Sequence, residues 1–112
     1  MIRVISKRDK KASSAPGVEY IGRPGVLGNK WTHLKGDTKA EFLVETRALA
    51  VSEYEKWLHA EIKKNGPVRT EIIRLWRKYQ AEGELTLCCW CAPLECHGDT
   101  IKRLFEMYSA VS

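Results

Sequence analysis

The residues best suited to chemistry lie close together near the C-terminus, in a segment that reads Cys-Cys-Trp-Cys-Ala-Pro-Leu-Glu-Cys-His-Gly-Asp. Thiolates and imidazoles are the ligands that zinc prefers, so one hypothesis is a metal site formed by Cys89, Cys91, Cys96 and His97. The spacing lacks the paired Cys-x2-Cys steps of zinc ribbons, and the adjacent Cys96 and His97 are poorly placed to face one ion. Zinc is therefore a candidate cofactor but not the favoured one.

A second interpretation of this segment is a reactive thiol. Cys96 directly precedes a predicted helix start, where backbone amides and a charged His97 imidazole would stabilise its thiolate. His97 would act as the general base, and Asp99 would orient it or bind a sugar hydroxyl. On this hypothesis the protein is an enzyme, either a hydrolase or a transferase.

The third interpretation is that the cysteines pack without reacting, because cysteine is among the most frequently buried residue types. Alternation along a strand places Cys89 and Cys91 on one face of a sheet and Cys88 on the other. Cys88 is then an ordinary core residue, while Cys89 and Cys91 fill space under the end of the sheet. The ligand contacts would come instead from Arg23, Asn29, His97 and Asp99.

A second segment, Gly22 to Asn29, contains three glycines, a proline and an asparagine. We call it the glycine segment. Its composition predicts a loop with several backbone amides available to a ligand, and Arg23 is suited to bidentate contact with a phosphate. The segment has neither the Walker spacing nor the dinucleotide-binding fingerprint, so it identifies no specific phosphate-binding loop.

The elements that position these two segments follow from the hydrophobic patterns. We predict strands at Ile2–Ile5, Val18–Ile21 and Glu84–Trp90, and helices at Lys39–Lys64, at Val68–Gln80 and from His97 onward. Strand, helical crossover and strand in that order indicate a right-handed parallel unit. The predicted fold is a small α/β domain, a Rossmann-like open sheet of parallel strands flanked by helices. Both chemical segments then follow the carboxyl ends of adjacent strands, where open α/β sheets bind ligands.

The length and the charge set further bounds. A chain of 112 residues predicts one domain, in which residues 1–17 form an N-terminal strand and basic loop and residues 18–112 form the main α/β part. The net charge is +5, and residues 1–11 alone carry +4. This basic segment could contact phosphates, but no aromatic residues are interleaved with its charges, which favours a solvated loop. Without a secretory signal or a long apolar run, we expect a cytoplasmic protein with no membrane partner.

Three motifs resemble those of a known family. They are Ile21-Gly22-Arg23 with Leu27-Gly28-Asn29, Tyr54-x-x-Trp57-Leu58, and Cys89-Trp90-Cys91-Ala92-Pro93-x-x-Cys96-His97-Gly98-Asp99. Together they are similar to bacterial and phage proteins of the domain of unknown function family 4326, over about Val18 to Tyr108. The resemblance implies a compact α/β fold and no established reaction. The positions it implies for the site are Gly22, Arg23, Gly28, Asn29, Cys89, Cys91, Cys96, His97 and Asp99. Lys30-Trp31 departs from the usual Pro-Phe and leaves the detailed shape of the loop open.

The leading functional hypothesis is a nucleotide-like or nucleoside-like ligand bound between the glycine segment and the Cys89–Asp99 segment. Arg23 and the loop amides would hold phosphate, Asn29 and Asp99 would contact the base or ribose, and Trp31 or Trp90 would stack. The alternatives are a phage accessory protein that binds a host protein or nucleic acid through its basic segment, and a metal-binding domain.

Overall fold

The structure, a computed structural model, describes residues 1–23, 25–32, 42–90 and 97–111. Two of the candidate site residues, Cys91 and Cys96, lie outside the described residues, and so does the Trp31 side chain. The elements in chain order are β1 (Ile2–Ser6), α1 (Lys10–Ser13), β2 (Glu19–Tyr20), β3 (Trp31–Thr32), β4 (Phe42–Leu43), α2 (Arg47–Ile62), α3 (Pro67–Glu82), β5 (Leu85–Cys89) and α4 (His97–Val111).

The main sheet has three strands in the order β1-β5-β2, and all of its pairings are parallel. The apolar run of β5 explains its central place, because a strand with neighbours on both sides is the most buried in the sheet. β1 pairs with β5 along its whole length, from Ile2 opposite Leu85 to Ser6 opposite Cys89. The predicted α/β fold and the predicted parallel pairing of β2 with β5 are both confirmed.

The two faces of the sheet are covered unequally. The alternating residues Leu85, Leu87 and Cys89 of β5 join one hydrophobic core with residues of α2, α3 and α4. From β1 the chain passes through α1 to β2, at the far edge of the sheet, and then returns through α2 and α3 to the central β5. These two connections run in opposite directions across the sheet. Because both are right-handed, α1 lies on the face opposite to α2 and α3. α1 is only four residues long and has no buried residue. In the described part of the chain, the second face is therefore thinly covered.

The long helix after the glycine segment begins later than its apolar pattern predicts. The prediction of helix from Lys39 is wrong for residues 42–46, because Phe42–Leu43 forms β4 and pairs in parallel with β3. The N-cap of α2 is Thr46, whose side-chain oxygen accepts a hydrogen bond from the Leu49 amide. Leu49 itself is 44% exposed, so it does not belong to the core stripe that the sequence predicted.

The other helices agree with their sequence signals. α3 begins with Pro67 after the N-cap Gly66, and it ends at Gly83, which has a left-handed φ of 75°. α4 begins at His97, as predicted. None of the described helices is long and apolar enough to cross a membrane.

Candidate functional site

His97, the first residue of α4, joins that helix to the carboxyl end of β2. Its Nε2 lies 2.7 Å from the Ile21 carbonyl oxygen. Because a carbonyl only accepts, Nε2 carries the proton and Nδ1 holds the lone pair. The imidazole is only 6% exposed, and its ring lies edge-on to the Tyr54 ring at a centroid distance of 4.9 Å. The histidine therefore holds the start of α4 against the start of the glycine segment.

The environment of His97 keeps its imidazole neutral. Burial is the main cause, and it lowers the pKa of His97 to about 4. The positive charge of Arg23 lowers this pKa further, whereas the hydrogen bond to Ile21 and the charge of Asp99 oppose the shift. The nucleophile hypothesis required a charged imidazole beside Cys96, and a group with this pKa is uncharged at neutral pH.

The glycine segment folds into two successive turns. The Gly25 amide donates to the Gly22 carbonyl and the Gly28 amide donates to the Gly25 carbonyl, each at 2.9 Å. These two amides therefore already have acceptors within the loop. The sequence had predicted that the loop amides would be available to a ligand. A Cβ at position 28 would lie 2.9 Å from the Arg23 Cα, so only glycine allows this close approach.

Two side chains attach the glycine segment to its surroundings. The buried Tyr54 hydroxyl of α2 donates to the Leu27 carbonyl at 2.8 Å. Asn29 is also buried, and its Nδ2 donates to the Ala50 carbonyl at 3.2 Å. Asn29 was predicted to contact the ligand, but this hydrogen bond turns its amide toward α2. Both contacts give the loop a defined position relative to the sheet.

Arg23 is the residue of the glycine segment whose bonding is incomplete. Its Nη1 is buried and has no hydrogen-bond partner among the residues that the structure describes. The positive charge of Arg23 acts on the His97 imidazole. The contact that joins the two segments is the hydrogen bond from His97 to the Ile21 carbonyl, directly before Gly22. Asp99, in the first turn of α4, acts on the same imidazole with the opposite sign. The charges of Arg23 and Asp99 therefore both act on His97 at the carboxyl end of the sheet, and we call these three residues the His97 cluster.

A chain of hydrogen bonds links the end of β5 to the glycine segment. The Trp90 indole Nε1 donates to the Tyr20 hydroxyl at 3.1 Å, and this hydroxyl donates to the Arg23 carbonyl at 2.9 Å. Trp90 nevertheless remains half exposed. Trp90 was predicted to stack on a ligand, whereas Tyr20 was not among the predicted site residues, because its only signal was its position at the end of a predicted strand.

The two described cysteines are packing residues. Cys89 lies in the main core, and Cys88 is buried on the opposite face of β5, as the alternation predicted. Burial raises the pKa of the Cys88 thiol, and the charge of Lys7 opposes this. Among the described residues, no group of three His, Cys, Asp or Glu side chains is arranged to hold a metal ion. The predicted metal set includes Cys91 and Cys96, which the structure does not describe.

A cavity of about 220 Å³ lies between the end of β2, the glycine segment and α3. Its two charged lining residues are Glu19 and Glu71, which both pair with Arg74. Glu19 also pairs with Lys78 at 2.7 Å. The remaining lining residues are Tyr20, Ile21, Gly25, Val26, Leu27 and Leu75. Carboxylates repel phosphate, so this cavity does not suit the anionic ligand that the sequence predicted.

Comparison of the chain with curated proteins and with solved structures gives no match. One protein-family model does match, and it covers residues 4–107. The matched range begins inside β1, so the family domain extends N-terminally beyond the motifs recognised between Val18 and Tyr108 and includes the basic segment. Because the match covers most of the chain, the protein belongs to the family described as a domain of unknown function, DUF4326.

Proposed function

We propose that this protein binds a small phosphate-bearing ligand of the nucleotide class between the glycine segment and the start of α4. The observation that carries the proposal is the buried Arg23 Nη1 without a partner. An unsatisfied buried donor costs about 1–3 kcal/mol, and more when it is charged. A phosphate oxygen would supply the missing acceptor, and the fork of the guanidinium fits two such oxygens.

The surroundings of Arg23 favour an anion over a neutral ligand. α4 is 15 residues long, and the positive end of its dipole lies in the same cluster. The neutral His97 adds no charge, so Arg23 and the helix end would together attract the phosphate. Asp99 repels phosphate and therefore suits a different part of the ligand, such as a ribose hydroxyl or a base N–H. Trp90 offers a half-exposed indole on which a base could stack.

Binding has more support in the geometry than catalysis by a Cys96–His97 pair. An imidazole with a pKa of about 4 is a weak general base at neutral pH, and its Nε2 is held by the Ile21 carbonyl. A hydrolase or transferase reaction through Cys96 remains a separate proposal. It predicts that Cys96→Ser abolishes turnover of a bound nucleotide but leaves its binding intact.

The test is a thermal-shift screen, followed by calorimetry, of nucleoside mono-, di- and triphosphates together with inorganic phosphate. We expect at least one nucleotide to raise the melting temperature of the wild type, and we expect Arg23→Gln to abolish the shift. The matched control is Arg103→Gln, because Arg103 is an exposed arginine of α4 whose contacts to Thr100 and Glu55 are long, at 3.5 and 3.9 Å. The proposal fails if no nucleotide binds the wild type, or if Arg23→Gln binds as well as the control variant.

A further inference from the structure

Two large aromatic side chains lie exposed beside each other on the thinly covered face of the sheet. Trp90 is 51% exposed and Tyr20 is 40% exposed. The hydrogen bond from the Trp90 indole to the Tyr20 hydroxyl satisfies the polar group of the indole and fixes its orientation. Much of both side chains remains accessible to solvent, so together they offer an aromatic surface that a partner can cover.

One lysine lies beside the Tyr20 ring, and three further cations follow it closely in the chain. Lys7 Nζ lies 5.5 Å from the centroid of the Tyr20 ring, and Arg8, Lys10 and Lys11 follow on exposed positions. The one acidic residue among them, Asp9, accepts the Ala12 amide at the start of α1. In the described part of the chain, none of these four cations forms an ion pair, whereas Arg74 and Lys78 on the other side of the molecule share Glu19.

The fold brings the basic segment and the two aromatic residues together although they are far apart in the sequence. The absence of aromatic residues within the basic segment argued against nucleic-acid binding. However, β1, β5 and β2 are neighbouring parallel strands, so the residues that follow their carboxyl ends meet at one edge. The Lys7 amide donates to the Cys89 carbonyl at 2.8 Å, next to Trp90. The aromatic residues come from other strands, and the sheet places them beside the basic segment.

We infer that this surface, formed by Lys7, Arg8, Tyr20 and Trp90, binds single-stranded nucleic acid. Bases would stack on the two rings, and Lys7 and Arg8 would contact the phosphates. Stacking on exposed aromatic side chains requires unpaired bases, because the bases of a duplex are already stacked on one another. The surface does not use the Arg23 guanidinium, so the inference goes beyond the proposed nucleotide site, although the two share Trp90.

Fluorescence anisotropy with a labelled oligothymidine, and separately an oligouridine, of about 12 nucleotides tests this inference at several salt concentrations. We expect Trp90→Ala to weaken binding by about tenfold or more without changing the salt dependence. Lys7→Gln should instead reduce the slope of log affinity against log salt by about 0.7. If Trp90→Ala does not fold, Trp90→Leu replaces it, because leucine keeps an apolar side chain but has no ring on which a base can stack. Trp90→Leu should lose affinity to the same degree.

The matched controls lie on other faces of the molecule. Met107→Ala removes an equally exposed apolar side chain from α4, and Arg77→Gln removes an exposed cation from α3, so both should bind like the wild type. An abasic strand with the same number of phosphates and a duplex of the same sequence should bind more weakly. The inference is overturned if the wild type does not bind either strand, if the abasic strand binds equally well, or if the Trp90 variants match Met107→Ala. Arg23→Gln separates the two proposals, because it should lose the nucleotide-induced thermal shift but keep single-strand binding.

Discussion

Acidification should destabilise this protein through His97. In the unfolded chain the imidazole titrates near 6.5, whereas in the folded protein burial lowers its pKa to about 4. Between these values the unfolded state binds one more proton than the folded state, so stability falls as the pH falls, by up to about 1.4 kcal/mol per pH unit. Lowering the pH from about 7 to about 5 should therefore cost about 2 kcal/mol from this residue alone.

The assay is urea unfolding at several pH values for the wild type and for His97→Gln. The variant loses the ring packing against Tyr54 and is expected to be less stable throughout, but its stability should depend less steeply on pH. Subtracting the two profiles removes the contribution of carboxylates that both proteins share, including Glu19, whose pKa is lowered by its hydrogen bonds to Arg74 and Lys78. Parallel profiles between about pH 4 and pH 6.5 would refute a buried, neutral His97.

Two further predictions concern how the glycine segment is held. Tyr54→Phe removes the buried hydroxyl that donates to a loop carbonyl and should lower the free energy of unfolding by about 1–2 kcal/mol. Thermal melting checks this against Tyr79→Phe, since Tyr79 is half-buried but its hydroxyl makes no described hydrogen bond, and an equal loss would contradict the argument. Gly28→Ala should cost about 1–3 kcal/mol and weaken nucleotide binding, because its methyl group would displace the Arg23 backbone. Gly66→Ala is the control, because an added Cβ there meets no atom within 4 Å, and it should change neither stability nor nucleotide binding. Unchanged stability and binding in Gly28→Ala would show that the loop can move to accommodate the methyl group.

The elements with strong local signals were predictable from the sequence. The apolar run of β5, the Gly66-Pro67 start and Gly83 end of α3, and the start of α4 at His97 all reflect interactions within a few residues of one another. The apolar spacing before α2 was ambiguous, because Phe42 and Leu43 fit a helical stripe and a strand equally well. The pairing of β4 with β3 decided between them, and pairing is a long-range interaction that periodicity does not contain.

The meeting of the glycine segment with the start of α4 was also predictable, since the order of strands and helices indicates which carboxyl ends are neighbours. The roles of individual residues within that site were harder to predict from the sequence. Asn29 and His97 are both polar residues in a loop-rich site, which made them candidate ligand contacts. In the structure both side chains are buried and bond to backbone carbonyls, Asn29 to Ala50 and His97 to Ile21. These bonds hold the glycine segment against α2 and the start of α4 against the end of β2. Whether a polar side chain faces a ligand or a carbonyl depends on tertiary packing.

Arg23 differs from Asn29 and His97, because one of its buried donors lacks an acceptor among the described residues. The buried polar side chains around it are satisfied: Tyr54 and Asn29 donate to carbonyls, and His97 donates to the end of β2. Native proteins rarely leave a buried donor without an acceptor, least of all a charged one. The Gly28 backbone lies directly against the backbone of Arg23 and so fixes where this side chain begins. The fold therefore satisfies the neutral groups near Arg23 and leaves one donor of the cation without an acceptor among the described residues, which is the observation behind the proposed anion site.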